Sequence, residues 1–188
     1  MKIPNILTLL RIVLIPVFVA VYYMPIEDAR FIASILFAIA AVTDWFDGYL
    51  ARKLNQTSPF GAFLDPVADK LMVAAALVVL VDTYSREFQA WPVLTAVPAI
   101  VIIGREIVIS ALREWMAEIG ERAQVAVSMI GKVKTALQMA SILALLAVEP
   151  GTPMAWMGIA GLYAATILTL WSMIIYLRAA WPHLSEDI

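Results

Sequence analysis

The sequence predicts an all-α, polytopic membrane protein with six transmembrane helices and both termini in the cytoplasm. Hydrophobic residues make up 63% of the 188-residue chain, and the mean hydropathy is +0.88. These values are too high for a water-soluble domain of this size. Six apolar stretches, each close to the roughly 20 residues that a bilayer span requires, follow one another with short polar breaks.

The six predicted spans are 5–24, 31–52, 62–82, 92–116, 131–148 and 154–178. No break between them could hold a soluble domain, so we expect residues 1–188 to form one membrane domain. A cleaved signal peptide over residues 1–24 is an alternative, but Arg11 and Pro16 interrupt the apolar run and favour an uncleaved first span.

Basic residues predict the orientation of the spans. Eleven lysines and arginines fall on one predicted side of the membrane, and only Arg30 and Arg86 fall on the other. The side that is richer in basic residues faces the cytoplasm. The net charge of −2 gives no basic excess, so we expect no nucleic-acid partner.

Four aspartates interrupt the apolar pattern near the end of the second span and near the start of the third. Asp44 and Asp47 share one helical face because they are three residues apart, and that face continues through Gly48, Ala51 and Arg52. A second face, with a spacing of four residues, carries Gly61, Asp65 and Asp69.

Four carboxylates at one membrane depth repel each other unless cations lie between them. The ligands are oxygens and the chain has no cysteine, so the expected cation is hard: Mg²⁺, Mn²⁺ or Ca²⁺. An ion-pair cluster with Arg52 and Lys70 is the structural alternative, but two basic residues cannot neutralise four carboxylates. We also expect Pro66 to lie in the first turn of the third helix, where a proline costs least.

A separate cationic cluster is predicted from the fourth and fifth spans. Its members all belong to the cytoplasmic half of the membrane and are Arg105, Arg113, Lys132 and Lys134. Such a patch suits a small phosphate monoester. The alternative is anchoring by the positive-inside rule, together with pairing to Glu106 or Glu114.

The first span has one polar edge. Asn5, Thr8 and Arg11 recur every three residues on an otherwise apolar helix. This edge could simply face the membrane interface, or it could contact a polar ligand.

The aspartates form a longer pattern, D-x2-D-G-x2-A-R-x8-G-x3-D-x3-D, which fixes eight positions between residues 44 and 69. Its chance occurrence is on the order of 10⁻¹⁰ per starting point. At these positions the chain resembles the CDP-alcohol phosphotransferase family. The stretches PNILTLLRIVLIP, REIVISALREWMAE and GKVKTALQM are most similar to family members that use glycerol-3-phosphate as the acceptor.

The resemblance implies transfer of the phosphatidyl group of CDP-diacylglycerol to glycerol-3-phosphate, with release of CMP. It implies Mg²⁺ or Mn²⁺, as two ions, on Asp44, Asp47, Asp65 and Asp69, with Asp69 also acting as the catalytic base. The implied CDP contacts are Asn5, Thr8, Arg11, Gly48, Ala51, Arg52 and Gly61. The implied glycerol-3-phosphate contacts are Arg105, Arg113, Lys132 and Lys134. A homodimer in the inner membrane of a bacterium, surrounded by lipid and with its site facing the cytoplasm, is also implied.

Two other function classes are also compatible with the sequence. A related enzyme would share the aspartates but use another acceptor, such as serine, inositol, inositol phosphate or choline. A divalent-cation transporter would also place acids in the membrane. The glycine and arginine of the motif have no role in conduction, and the acids cluster at one depth rather than along a path, so the enzyme is favoured.

Overall fold

The structure is a computed structural model that describes residues 3–53, 59–91, 93–120 and 129–184. Side chains are described for residues 5–43, 60–61, 63–91, 93–120 and 131–182. Six α-helices account for nearly all of these residues: α1 (Ile3–Tyr22), α2 (Ala29–Lys53), α3 (Pro59–Glu87), α4 (Val93–Glu118), α5 (Met129–Ala147) and α6 (Pro153–Leu184).

The all-helical prediction is therefore confirmed, and each apolar stretch forms one helix. The differences lie at the ends, where α3 begins three residues before its predicted span and α6 continues six residues beyond residue 178. The polar ends of α3 and α6 remain helical because a helix satisfies their backbone hydrogen bonds. A prediction based on apolar residues alone does not include these polar ends.

The expected position of Pro66 is wrong. Because α3 begins at Pro59, Pro66 lies inside the helix rather than in its first turn. A proline there removes one backbone hydrogen bond and crowds the preceding turn. The Pro66 ring is exposed, so it does not pack into the core formed by the described residues.

Local sequence signals explain two of the helix ends. α4 ends before Gly120, whose φ of 81° is the left-handed conformation that glycine adopts without a Cβ clash. α6 begins after Thr152, whose Oγ1 accepts a hydrogen bond of 3.2 Å from the Ala155 backbone N–H. Thr152 is thus a side-chain N-cap, and Pro153 occupies the first helical position, where its missing N–H costs nothing.

The helices pack so that successive ones run in opposite directions. α1 contacts α2 and α3, α3 contacts α4, and α6 contacts α4 and α5. The shared core contains aromatic and aliphatic side chains, among them Phe18, Phe37, Leu77, Ile102 and Leu145.

One end of the bundle, which we call the loop end, is held by polar and aromatic contacts. Tyr23 donates a 2.8 Å hydrogen bond to Asp82, and the rings of Phe88 and Trp156 lie 5.2 Å apart. Partial burial, and then the hydrogen bond to Asp82, raise the pKa of Tyr23 to about 12, so this hydroxyl remains a donor. The opposite end, called the site end, contains the amino terminus of α1 and the charged residues described below.

The outer surface of the bundle is apolar. Ile100 is 70% exposed, Phe63 67% and Ile167 66%. A surface of this kind is typical of contact with lipid rather than water. Among the described residues, three helices are long and apolar enough to cross a membrane: Asn5–Tyr22, Val93–Glu118 and Pro153–Pro182. The chain is therefore a helical membrane protein. Of the other three helices, α2 and α3 carry the predicted acidic cluster, and α5 carries Lys132 and Lys134.

Candidate functional site

The acidic face of α3 lies at the site end, beside the polar edge of α1. Thr8 donates a 2.5 Å hydrogen bond to Asp65 Oδ1, although the two residues are 57 positions apart. Thr8 is fully buried and Arg11 is 1% exposed, so the polar edge of α1 points into the bundle rather than to the membrane interface. The interfacial alternative for this edge is therefore wrong for Thr8 and Arg11.

Asp65 and Asp69 lie one helical turn apart on this face, with Asp65 half-buried and Asp69 exposed. Their oxygens suit a hard divalent cation. Among the side chains that the structure describes, no three carboxylate or imidazole groups converge. The side chains of the other two predicted ligands, Asp44 and Asp47, lie outside the described residues, although their backbone belongs to α2, which contacts α3.

Of the remaining predicted CDP contacts, some have side chains that the structure describes and others do not. The side chains of Ala51 and Arg52, together with Gly48, lie outside the described residues. Gly61 is buried at the start of α3, one turn before Asp65. Asn5 is half-buried one turn before Thr8 on α1.

The cationic cluster is arranged around a carboxylate. Arg105 Nη1 donates a 2.8 Å hydrogen bond to Glu106 Oε1, and Lys134 Nζ lies 3.6 Å from the same oxygen. Arg105 is only 9% exposed and Lys134 only 6% exposed. The predicted alternative of pairing with Glu106 is therefore present for both cations. It leaves one carboxylate between two positive charges, so the pairing does not neutralise the cluster.

Arg113 takes a different partner. Its Nη2 donates a 2.9 Å hydrogen bond to Tyr176 Oη, and its guanidinium carbon lies 5.2 Å from the centre of the Tyr176 ring. The Arg105 guanidinium lies 5.7 Å from the same ring. Cation–π contact at these distances orients both arginines without removing their charge.

One aspartate of the acidic cluster and three members of the cationic cluster line one cavity of about 240 Å³ at the site end. Its lining includes Asp69 and Lys70 from α3, Arg105, Glu106 and Arg113 from α4, and Lys134 from α5. The four basic and two acidic side chains leave a formal excess of two positive charges. A small ligand that combines a phosphate with a hydroxyl group would meet these cations and the Asp69 carboxylate in the same space.

Lys132 does not share this position. It is exposed and is not among the residues that line the cavity, whereas Lys134 lines it. Two residues correspond to about 200° around a helix, so these lysines cannot point in the same direction.

Sequence reasoning missed several residues of the cavity wall. Those with polar side chains are Lys70, Thr135, Gln138, Ser172 and Tyr176. Gln138 could have been found, because it lies one turn after Lys134 on the same face of α5. Ser172 and Tyr176 are likewise one turn apart on α6, but nothing in the sequence places α6 against α4.

Comparison with known proteins shows which family the chain resembles over its length. The family model for CDP-alcohol phosphatidyltransferase matches residues 1–177. Relatives from Escherichia coli (strain K12) and Shigella flexneri serotype 5b are each 54% identical over 186 residues. The aligned region covers 99% of this chain and 98% of each relative, and both are named CDP-diacylglycerol–glycerol-3-phosphate 3-phosphatidyltransferase.

Proposed function

The chain belongs to the CDP-alcohol phosphatidyltransferase family, and we propose that it transfers the phosphatidyl group of CDP-diacylglycerol to glycerol-3-phosphate. The products are phosphatidylglycerophosphate and CMP. Relatives that are 54% identical over nearly the full length carry the name of this reaction. The structural observation behind the proposal is the cavity in which Asp69 lies with Arg105, Arg113 and Lys134.

The acceptor would bind with its phosphate on these three cations. Arg105 and Lys134 are buried, so an anion bound to them is poorly screened by water and is held more strongly than on a surface. Tyr176 keeps Arg113 oriented toward the same space. Lys132 lies outside the cavity lining, so its charge would act on an incoming phosphate only from the entrance.

The donor would bind on the acidic side. The proposed CDP contacts are Asn5, Thr8, Arg11, Gly48, Ala51, Arg52 and Gly61. The hydrogen bond from Thr8 to Asp65 supports this set, because it brings α1 next to the acidic face of α3. Divalent ions on Asp44, Asp47, Asp65 and Asp69 would supply the positive charge that lets a pyrophosphate approach four carboxylates.

The chemical step is an in-line displacement at phosphorus. Asp69 accepts the proton of the attacking glycerol-3-phosphate hydroxyl, and that oxygen forms a bond to the phosphorus that carries the diacylglycerol. The bond from this phosphorus to the CMP oxygen breaks, and CMP leaves with the electron pair. Asp69 lines the cavity beside the phosphate-binding cations, which supports its assignment as the base.

The same proposal includes the membrane topology. All six helices would cross the inner membrane of a bacterium, with both termini and the site end on the cytoplasmic side. The alternating direction of the helices and the excess of basic residues at the site end support this arrangement. A homodimer is also part of the proposal and rests on the family resemblance alone; cross-linking in native membranes would test it.

The test is an acceptor panel with the purified protein, CDP-diacylglycerol and Mg²⁺ or Mn²⁺. We expect CMP release with glycerol-3-phosphate and little with serine, inositol, inositol phosphate or choline. Faster release with any of these other acceptors would reassign the protein to a related enzyme.

Metal dependence is tested in the same assay. A chelator should abolish CMP release, because the four proposed aspartates would then repel the pyrophosphate of the donor. Readdition of Mg²⁺ or Mn²⁺ should restore it. Full activity after thorough chelation would remove the divalent ions from the proposal.

A further inference from the structure

Two residues that line the cavity each have a buried side-chain atom without a hydrogen-bond partner among the described residues: Arg105 Nε and Gln138 Oε1. Gln138 is 6% exposed and lines the cavity. Buried polar atoms are nearly always paired, so an unpaired donor and an unpaired acceptor in one cavity indicate that a ligand completes them.

The two terminal nitrogens of Arg105 are already paired. Arg105 Nη1 donates to Glu106, and Nη2 donates to Ser172 Oγ at 3.3 Å. Ser172 Oγ in turn donates to the Thr169 carbonyl at 2.8 Å. The atoms left for a ligand in this part of the cavity therefore include one donor, Arg105 Nε, and one acceptor, Gln138 Oε1.

An ionised phosphate does not match Gln138 Oε1. Phosphate oxygens and an amide oxygen are both acceptors, so they repel when they face each other. A hydroxyl group fits, because it donates to an amide oxygen and can also accept from a guanidinium N–H. The chemistry of these two atoms therefore indicates a ligand hydroxyl that is separate from the phosphate.

Position along the helices separates this hydroxyl from the reacting one. Gln138 lies one turn beyond Lys134 along α5, about 6 Å farther from the site end. Asp69, the proposed base, is exposed and precedes Lys70, which donates a hydrogen bond to Ser110 on α4. Arg105 lies five residues, about 7.5 Å, farther from the site end than Ser110 along the same helix. The hydroxyl that meets Gln138 is therefore the one that does not react.

We propose that Gln138 is a specificity-determining residue that accepts a hydrogen bond from the non-reacting, secondary hydroxyl of glycerol-3-phosphate. The proposal rests on the proposed function, since it concerns the acceptor of that reaction. The acceptor is then held at three points: its phosphate by the cations, its primary hydroxyl by Asp69 and its secondary hydroxyl by Gln138.

The experiment compares glycerol-3-phosphate with 3-hydroxypropyl phosphate, which lacks only the secondary hydroxyl. The wild-type protein should prefer glycerol-3-phosphate by about ten- to a hundredfold in kcat/KM, because the analogue leaves the buried acceptor atom unpaired. In Gln138→Met, which keeps the volume but removes the acceptor atom, this ratio should fall to within about threefold of one. The loss should lie mainly in the KM for glycerol-3-phosphate.

A matched control is Ser141→Ala. Ser141 is also a buried polar residue of α5, but its hydroxyl donates to the Leu137 carbonyl at 2.8 Å and it does not line the cavity. This variant should keep the wild-type acceptor ratio. Turnover of the analogue by Gln138→Met at near the wild-type rate would show that the variant is folded.

Each result decides the proposal. A wild-type protein that uses both acceptors equally, or a Gln138→Met variant that keeps the ratio, would refute the role of Gln138 and leave the proposed function intact. Absence of CMP release from the wild-type protein with glycerol-3-phosphate would refute the proposed function itself. If Gln138→Met is inactive with both acceptors, the test passes to Gln138→Glu, which retains acceptor oxygens. This variant should discriminate between the two acceptors as the wild-type protein does. Loss of discrimination or loss of turnover in Gln138→Glu would overturn the proposal.

Discussion

The clearest test of the cationic cluster is a comparison of two lysines on the same helix. Lys134 is 6% exposed and lines the cavity, whereas Lys132 is exposed and lies outside it. Replacing each lysine by methionine keeps the apolar stem and removes one charge. Solvent screens the exposed charge of Lys132 more than the buried charge of Lys134, so Lys132→Met measures the loss of one screened charge on the same helix.

The expected size of the effect follows from burial. A hydrogen bond between a charged donor and a phosphate contributes about 1.5–3 kcal/mol, which corresponds to a roughly 10- to 150-fold change in affinity. The low exposure of Lys134 means that solvent screens little of this interaction. Lys134→Met should therefore raise the KM for glycerol-3-phosphate within that range, and Lys132→Met should change it by no more than about threefold.

The assay measures CMP release while each substrate is varied in turn. In Lys134→Met the KM for CDP-diacylglycerol should change far less than the KM for glycerol-3-phosphate. Two outcomes would contradict the assignment: equal effects of the two substitutions, or equal effects of Lys134→Met on both substrates.

Three further predictions concern other parts of the bundle. Asp69→Asn should abolish turnover while CDP-diacylglycerol still binds, as measured by CMP release and by lipid binding; full activity would remove the base assignment. Tyr176→Phe removes the hydroxyl that accepts the 2.9 Å bond from Arg113 but keeps the ring. It should raise the KM for glycerol-3-phosphate about three- to tenfold, and an unchanged KM would show that Tyr176 does not position Arg113. Gly161→Ala should lower stability by about 1–3 kcal/mol, because the added Cβ would lie 2.4 Å from Ser141 Oγ. Thermal unfolding in detergent measures this loss, and adding Ser141→Ala should restore most of it; no change in the single variant would mean that α5 and α6 separate easily.

Glu106 explains how two buried cations, Arg105 and Lys134, can remain close together before a substrate binds. Its Oε1 lies 2.8 Å from Arg105 and 3.6 Å from Lys134. Two buried cations without a counter-ion would repel each other. The carboxylate reduces that repulsion, and the remaining positive excess is still available to a phosphate.

The sequence by itself determined much of this protein. The apolar stretches located all six described helices, because the length of an apolar segment depends only on local composition. The spacing of Asp65 and Asp69, and of Asn5, Thr8 and Arg11, identified the helical faces that carry polar groups, because helical periodicity is also local. The motif and its flanking stretches identified the family, which the match over residues 1–177 confirms.

The tertiary structure decided which of these faces meet. Lys132 and Lys134 were predicted together, yet only Lys134 lines the cavity, because the rotation of α5 is set by its packing on α6. Tyr176, Ser172 and Gln138 belong to no local pattern that marks a site, and they enter the cavity because α6 and α5 pack there. Helical spacing shows which side chains share a face, but only the packing of the neighbouring helices determines whether that face meets lipid, core or ligand.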